Sequence, residues 1–406
     1  MSQSSSPSSF PTSSPSVFQF HYAPLEAVLL GEDVAVALPL LAEKYAAKNV
    51  FLLATRSLSR ATGQFAGLQA ALGARCAGLF DGISAHSPRE QVLQALGEAR
   101  SARTDLLVTL GGGSVIDASK VVQLALDQGI ESEAQLLDYA QFGDGTRGSK
   151  AGDMSLFTTP SRVRQIAVPT TLSGAEFSNN AGVLDTRKSM KEGYRGIDLC
   201  PRAIIYDPLL SLHTPEWLWL STAIRSLDHA IEGYCSAQTH AFLDGHFLHA
   251  MRLFADTLPS TQQDPQNVQS RSLNQQAVWL ACCGLGTVSH GASHGIGYIL
   301  GSYCGVPHGY TSCVMLPAVL EWNQPFNGKR QAAIADALGR PGDSAAMAVR
   351  ELVRSLGLPT TLREVGVSPE QFPEIARRAI RHPVVRNNPR TLDSAELVME
   401  ILQLAI

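Results

Sequence analysis

No run of apolar residues in this 406-residue chain approaches the roughly 18–20 needed to span a bilayer, so no membrane segment is expected. No basic block stands out either. The 32 Lys and Arg against 36 Asp and Glu leave a net charge of −4, which excludes the basic footprint of a nucleic-acid binder. CxxC pairs are absent. Seven scattered cysteines, an odd number in a long chain, fit reduced thiols in a cytoplasmic protein better than a disulfide framework. The adjacent Cys282 and Cys283, inside the apolar AVWLACCGLG, read as core packing. The opening MSQSSSPSSFPTSSPSV has no apolar h-region, no basic n-region and no arginine. Residues 1–17 therefore read as a disordered Ser/Pro-rich leader and not as a secretory or transit signal.

The remaining composition, 45% hydrophobic and 17% charged, suffices for two ordinary domains. Residues 18–207 alternate β-branched runs with helical stretches. NVFLLATRSLS (49–59) reads as strand then turn, SPREQVLQALGEARSA (87–102) as an amphipathic helix, and DLLVTLGGGSVIDASKVVQLAL (105–126) as strand, glycine loop, helix. RQIAVPTT and PRAIIYDP read as further strands. That alternation predicts an α/β domain with a parallel sheet covered on both faces. Residues 208–406 change texture and read as all-helical, with PEWLWLSTAIRSLDHAIEGYCSA, AFLDGHFLHAMRLFADTLPS, NQQAVWLACCGLGTVSHGASHGIGYILGS, KRQAAIADALGR and SAELVMEILQLAI as helices. A site is expected between the two halves, because clefts favour domain interfaces.

Two clusters carry chemistry. The loop at Gly111, Gly112 and Gly113 follows a strand and opens a helix, so its backbone and free N–H groups suit a pyrophosphate. Ser114 can cap that helix or touch a phosphate. The loop matches neither GxGxxG nor a Walker A pattern, and a structural glycine turn explains it equally well. The second cluster is AIRSLDHAIEGY (223–234) with SHGASHGIGYILGSYCGVPHGY (289–310). Arg225 and His229 are four apart and share a helix face, as can His290 and His294. His308, between Pro307 and Gly309, suits a turn. His246 and His249 read as ordinary helix residues. A bland alternative pairs Arg225 with Asp228 or Glu232.

GGGSVIDASK, VPTT, IIYDP, HAIEGY and HGIGYILGSYCGVPHG, in this order, resemble the iron-containing (group III) alcohol dehydrogenase superfamily, from about residue 18 through RNNPRTLDSAELVMEIL (386–402). The resemblance implies an N-terminal dinucleotide-binding domain, a helical C-terminal domain and hydride transfer between NAD(P) and an alcohol or carbonyl. Members are often dimers, so a homodimer is open. Metal-dependent members use one aspartate and three histidines, and carrying these over selects His229, His294 and His308. The aspartate position, four residues before the first histidine, holds Arg225 instead. A histidine that many members place near the nicotinamide is here Tyr298. PTTLSGAE (169–176), including Thr170 and Thr171, and MKEGYRGIDLCPRAIIYDP, with Lys191 at a cofactor-contacting position, look similar to the maleylacetate reductase branch. That branch works without requiring a metal.

An arginine beside a +2 ion is repelled by roughly 6–7 kcal/mol at about 5 Å and an effective dielectric near 20. The expectation is therefore no catalytic metal, with Arg225 clamping a substrate carboxylate or enolate. His229, His294 and His308 would position substrate, and Tyr298 or a histidine would deliver the proton. After the early strand stand Thr55 and Arg56 and no acid, so Arg56 can take a 2′-phosphate, favouring NADPH over NADH. The implied substrate is a small carboxylated molecule, and the leader suits a eukaryotic biosynthetic enzyme. Two rivals remain: a metal-dependent alcohol dehydrogenase, and a non-catalytic nucleotide-binding relative.

Overall fold

The computed structural model describes residues 20, 22–61, 63–143 and 145–406; the leader expected at residues 1–17 lies outside them. Among the described residues nine strands form: β1 (Ala27–Leu30), β2 (Val50–Ala54), β3 (Cys76–Phe80), β4 (Leu106–Gly111), β5 (Gln141–Phe142), β6 (Arg164–Pro169), β7 (Asn180–Asp185), β8 (Met190–Arg195) and β9 (Ala203–Tyr206). Six make one sheet in the order β1-β9-β6-β4-β2-β3, every pair parallel. VFLLA in β2 and LLVTLG in β4 are buried throughout, because helices cover both faces of a parallel sheet. The chain leaves β2 toward β3 and leaves β4 toward β6. Neighbouring strands thus send their connections to opposite sides, and a crevice opens outside their carboxyl ends.

From Pro208 onward the described chain is helical. The helix Glu216–Cys235 is followed by Ala241–Gln263, Val268–Cys282, Ala292–Cys304 and His308–Ala337, with shorter helices to Leu404. None is long and apolar enough to cross a membrane. One apolar core joins the halves: Leu172, Phe177 and Tyr206 pack in the same cluster as Trp219, Ile224 and Leu227. Cys282 is buried and free, and Cys283 is partly buried.

The structure corrects four local expectations. The residues after β2 do not simply turn; they form the helix Arg56–Ala61. A second sheet, antiparallel in the order β5-β8-β7, stands beside the parallel one. Its strand β7 alternates buried and half-buried residues, the period of a one-sided strand. The stretch expected as one helix from Asn274 breaks between Cys282 and Ala292, where Gly286 takes a φ of +85°. His290 therefore lies outside the helix that carries His294. His308 does not sit in a free turn. It is the first residue of the helix His308–Ala337, behind Pro307, whose φ of −54° is preset for that start.

Candidate active site between the sheet and the helices

The glycine loop forms one wall. β4 ends at Gly111 and the helix Gly113–Asp127 begins two residues later, at the switch point beside β2. A Cβ on Gly112 would stand 2.8 Å from Thr171 Cγ2, and one on Gly113 would stand 3.0 Å from Ser173 Oγ. These glycines are thus required by close approach of the 169–176 segment. Thr170 N–H donates to the Gly111 carbonyl at 3.0 Å, and Thr55 packs against Gly111. Ser114 departs from the first of its two expected roles, the helix cap. Its Oγ accepts the His86 N–H at 3.0 Å and its carbonyl accepts the Ser87 hydroxyl at 2.7 Å, so it anchors a neighbouring loop and does not cap its own helix.

The other wall comes from three helices. Glu216–Cys235 brings Arg225, Asp228, His229 and Glu232, all buried. Glu232 accepts the N–H groups of Gly291, Ser293 and His294, orphan donors at the start of the helix Ala292–Cys304, and His294 Nδ1 at 2.8 Å. It is therefore not the partner of Arg225. Asp228 accepts the hydroxyls of Ser293 and Ser312 at 2.7 Å and stands 4.0 Å from Arg225 Nη1. That guanidinium donates to Ser312 Oγ at 3.1 Å and lies 5.3 Å from the centre of the Tyr298 ring. Tyr298 lies 6.3 Å from both His294 and His308, ring to ring.

The histidines regroup relative to expectation. His229 Nδ1 meets His294 Nε2 at 2.8 Å and His290 Nε2 at 3.2 Å. Among the described residues two sets have ligand atoms that all lie within 4.8 Å of one another: His229, His290 and His294, and Asp228, Glu232 and His294. His308, expected as the third member, instead receives the Lys191 ammonium on Nε2 at 2.9 Å, tying β8 to the helical half. The reason is the broken helix: freed from it, His290 turns back onto His229, while His308 is carried by a different helix.

Burial, then the neighbouring histidines and Arg225, push the proton affinity of His229 far down; burial does the same to His290, with His294 and Arg225 adding. Burial and Arg225 oppose a proton on His294, yet Asp228 and Glu232 hold its pKa above the usual value. Burial, Lys191 and Arg225 keep His308 neutral. Burial lowers Lys191 as well; Arg225 adds to this and Asp117 opposes it. Burial raises the Tyr298 phenol, with Arg225 opposing.

The structure thus brings Arg225, His229, His294, Tyr298, His308 and Lys191 together, while Thr55, Gly111–Gly113 and Thr170–Thr171, at the ends of β2, β4 and β6, pack against one another. Arg56 is exposed at the start of its helix. His246 and His249 lie on the helix Ala241–Gln263. Sequence reasoning missed His86, whose ring meets His308 edge-on at 5.2 Å, and the anchoring roles of Asp228 and Glu232. A polar loop directly after a strand of a parallel sheet was the available signal for His86.

Comparison with known proteins gives two adjoining family matches: iron-containing alcohol dehydrogenase over residues 26–208, and the C-terminal part of the Fe-containing alcohol dehydrogenase family over residues 219–406. The chain is 33% identical to dehydrogenase FUM7 of Gibberella moniliformis, over 88% of this chain and 90% of that protein. It is 26% identical to maleylacetate reductase 1 of Cupriavidus pinatubonensis, over 80% of each. The solved maleylacetate reductase of Agrobacterium tumefaciens shares the fold, with a TM-score of 0.80 at 22% identity over 97% of this chain and 99% of that one.

Proposed function

Because the chain belongs to the iron-containing alcohol dehydrogenase family, we propose that it is an NAD(P)H-dependent reductase similar to the maleylacetate reductases. It reduces a carbonyl or an activated alkene of a carboxylated small molecule, without a catalytic metal. The observation that carries this reading is Arg225. It is a buried guanidinium whose nearest carboxylate oxygen is 4.0 Å away and already serves two serine hydroxyls. A buried cation so loosely paired is poised for an anion from outside.

The crevice at the β2/β4 switch point fits a dinucleotide. Gly111, Gly112, Gly113, Thr55, Thr170 and Thr171 would hold it, with Lys191 toward the helical wall. When bound, it supplies the hydride. Arg56, exposed and without an ion-pair partner among the described residues, has the chemistry for a 2′-phosphate and favours NADPH. The chain's own groups do the rest. Arg225 donates to the oxygen on which charge develops, a carbonyl oxygen or an enolate, and stabilises it electrostatically. Tyr298 or a histidine returns a proton, to oxygen for a ketone or to carbon for an alkene.

A second reading, a metal-dependent alcohol dehydrogenase, draws on the proximity of His229, His290 and His294. The donor set fits a divalent ion poorly. Burial, then the neighbouring imidazoles and Arg225, already lower the proton affinity of His229 and His290, and an ion of charge +2 on those nitrogens meets the Arg225 charge as well. Elemental analysis of the purified protein decides, with NADPH and NADH turnover on maleylacetate before and after chelation. We expect turnover that survives chelation at well under one metal per chain. One tightly held iron or zinc, with activity lost on its removal, would replace this reading by the second.

A further inference from the structure

The loop between β3 and the helix Arg89–Ser101 does more than connect them. His86 and Ser87 have φ of +67° and +54°, two successive non-glycine residues in the left-handed region. Such backbone is costly and persists only where its surroundings impose it. Here they do. His86 N–H is held by Ser114 and the Ser87 hydroxyl donates to the Ser114 carbonyl, while the Ser87 carbonyl accepts the Leu184 N–H at 3.1 Å. The strained pair is thereby clamped between the glycine-loop helix and β7.

The result is a half-buried imidazole at the carboxyl end of the sheet, edge-on to His308. Among the described residues neither of its ring nitrogens has a hydrogen-bond partner, whereas His229, His290, His294 and His308 each engage at least one; the Nδ1 of His308 has none. Ring contacts place it last in the series Arg225, Tyr298, His308, His86. Arg225 and His86 therefore mark the two ends of the series.

We propose that His86 is a specificity-determining residue. Its imidazole hydrogen-bonds a second carboxylate of the substrate, remote from the oxygen held by Arg225, so that the enzyme selects diacids. Burial and the nearby Lys191 keep this imidazole neutral, and a neutral imidazole still donates through one nitrogen. The inference rests on the function proposed above.

The test compares three substrates in wild type, His86→Asn and His86→Gln. They are maleylacetate (4-oxohex-2-enedioate) and two analogues each lacking one of its carboxylates, 4-oxopent-2-enoate and 3-oxohex-4-enoate. Asparagine accepts left-handed backbone, so His86→Asn shortens the side chain without adding strain, and thermal unfolding checks that it folds. We expect KM for the diacid to rise about tenfold in His86→Asn, with kcat within about threefold. KM for one of the single-carboxylate analogues stays at its wild-type value, and His86→Gln recovers part of the loss. An equal rise for all three substrates, a rise confined to NADPH, or no rise at all overturns the assignment to His86. Wild-type failure on every substrate overturns the underlying reading and this one with it.

Discussion

The glycine loop at the heart of one wall occupies one unbroken stretch, Thr109–Lys120, whereas the facing wall is gathered from afar. His294 meets His229 across 65 residues of sequence, and His308 meets Lys191 across 117. The first wall works through backbone: it needs small residues, a strand end and a helix start, and nearby sequence supplies all three. The second, under the proposed function, works through charge, and its chemistry turns on which side chain stands at one position. The lesson of the difference is that a family can keep the first wall and still change its reaction by altering the second. Under the function proposed above, Arg225 is that kind of change.

The sharpest way to break this comparison is to remove the charge. Arg225→Ala is expected to lower kcat by about 10³-fold, the scale of losing an electrostatic group that acts on the transition state, with a much smaller change in KM for NADPH. Steady-state kinetics on maleylacetate measures both. Arg225→Asp goes further, because it places a carboxylate beside three imidazoles. Isothermal titration with zinc should show about one site per chain in this variant and none in wild type. If Arg225→Ala keeps most of its turnover while its unfolding midpoint drops, Arg225 is a structural partner of Asp228 and the contrast between the walls fails.

The seam between the walls offers a test of stability. Glu176 is fully buried at the turn that follows Gly174. One carboxyl oxygen accepts the Tyr206 hydroxyl at 2.6 Å, and the other has no partner among the described residues. Burial pushes the carboxyl up to about 7 from 4.5. The folded state thus binds this proton more tightly than the unfolded chain does. The stability it contributes is complete below about pH 4.5 and is lost as pH rises to about 7, on the order of 3 kcal/mol in all. Denaturant unfolding of wild type and Glu176→Gln from pH 4.5 to 8 should show the variant gaining on wild type as pH rises. Parallel curves would mean that the carboxylate is ionised and compensated in place, with the Lys120 charge opposing the effect of burial.

What was legible in the sequence follows the same division. Buried runs such as VFLLA and LLVTLG announce parallel strands through local periodicity, and TLGGGS announces its own bend. Arg225 and His229 were legible as neighbours on one helix face, but their roles, and the place of Tyr298, were legible only through resemblance, which marks positions and not partners. The grouping of His290 with His229 depends on a helix break at residues 283–291, and an apolar run with scattered glycines does not display such a break. The pairing of Lys191 with His308 and the clamp on His86 depend on where distant segments cross. No local pattern encodes that.

The glycine wall yields the smallest effect and the cleanest control. Gly112→Ala would put its Cβ 2.8 Å from Thr171 Cγ2 and 3.0 Å from Thr171 Oγ1, and one side must move. We expect KM for NADPH to rise about tenfold, roughly 1.4 kcal/mol, with kcat changed less. Adding Thr171→Ser removes the closer of the two atoms and should restore part of the affinity. Gly67→Ala is the control. It lies within the helix Gln64–Leu72, and an added Cβ there meets nothing within 4 Å. It should leave KM untouched and add about 0.5–1 kcal/mol of stability, because alanine gives up less backbone freedom in a helix. If Gly112→Ala also leaves KM unchanged, the dinucleotide does not depend on the loop's close contact with Thr171. The glycines would then be packing residues, and the first wall would be as dependent on distant contacts as the second.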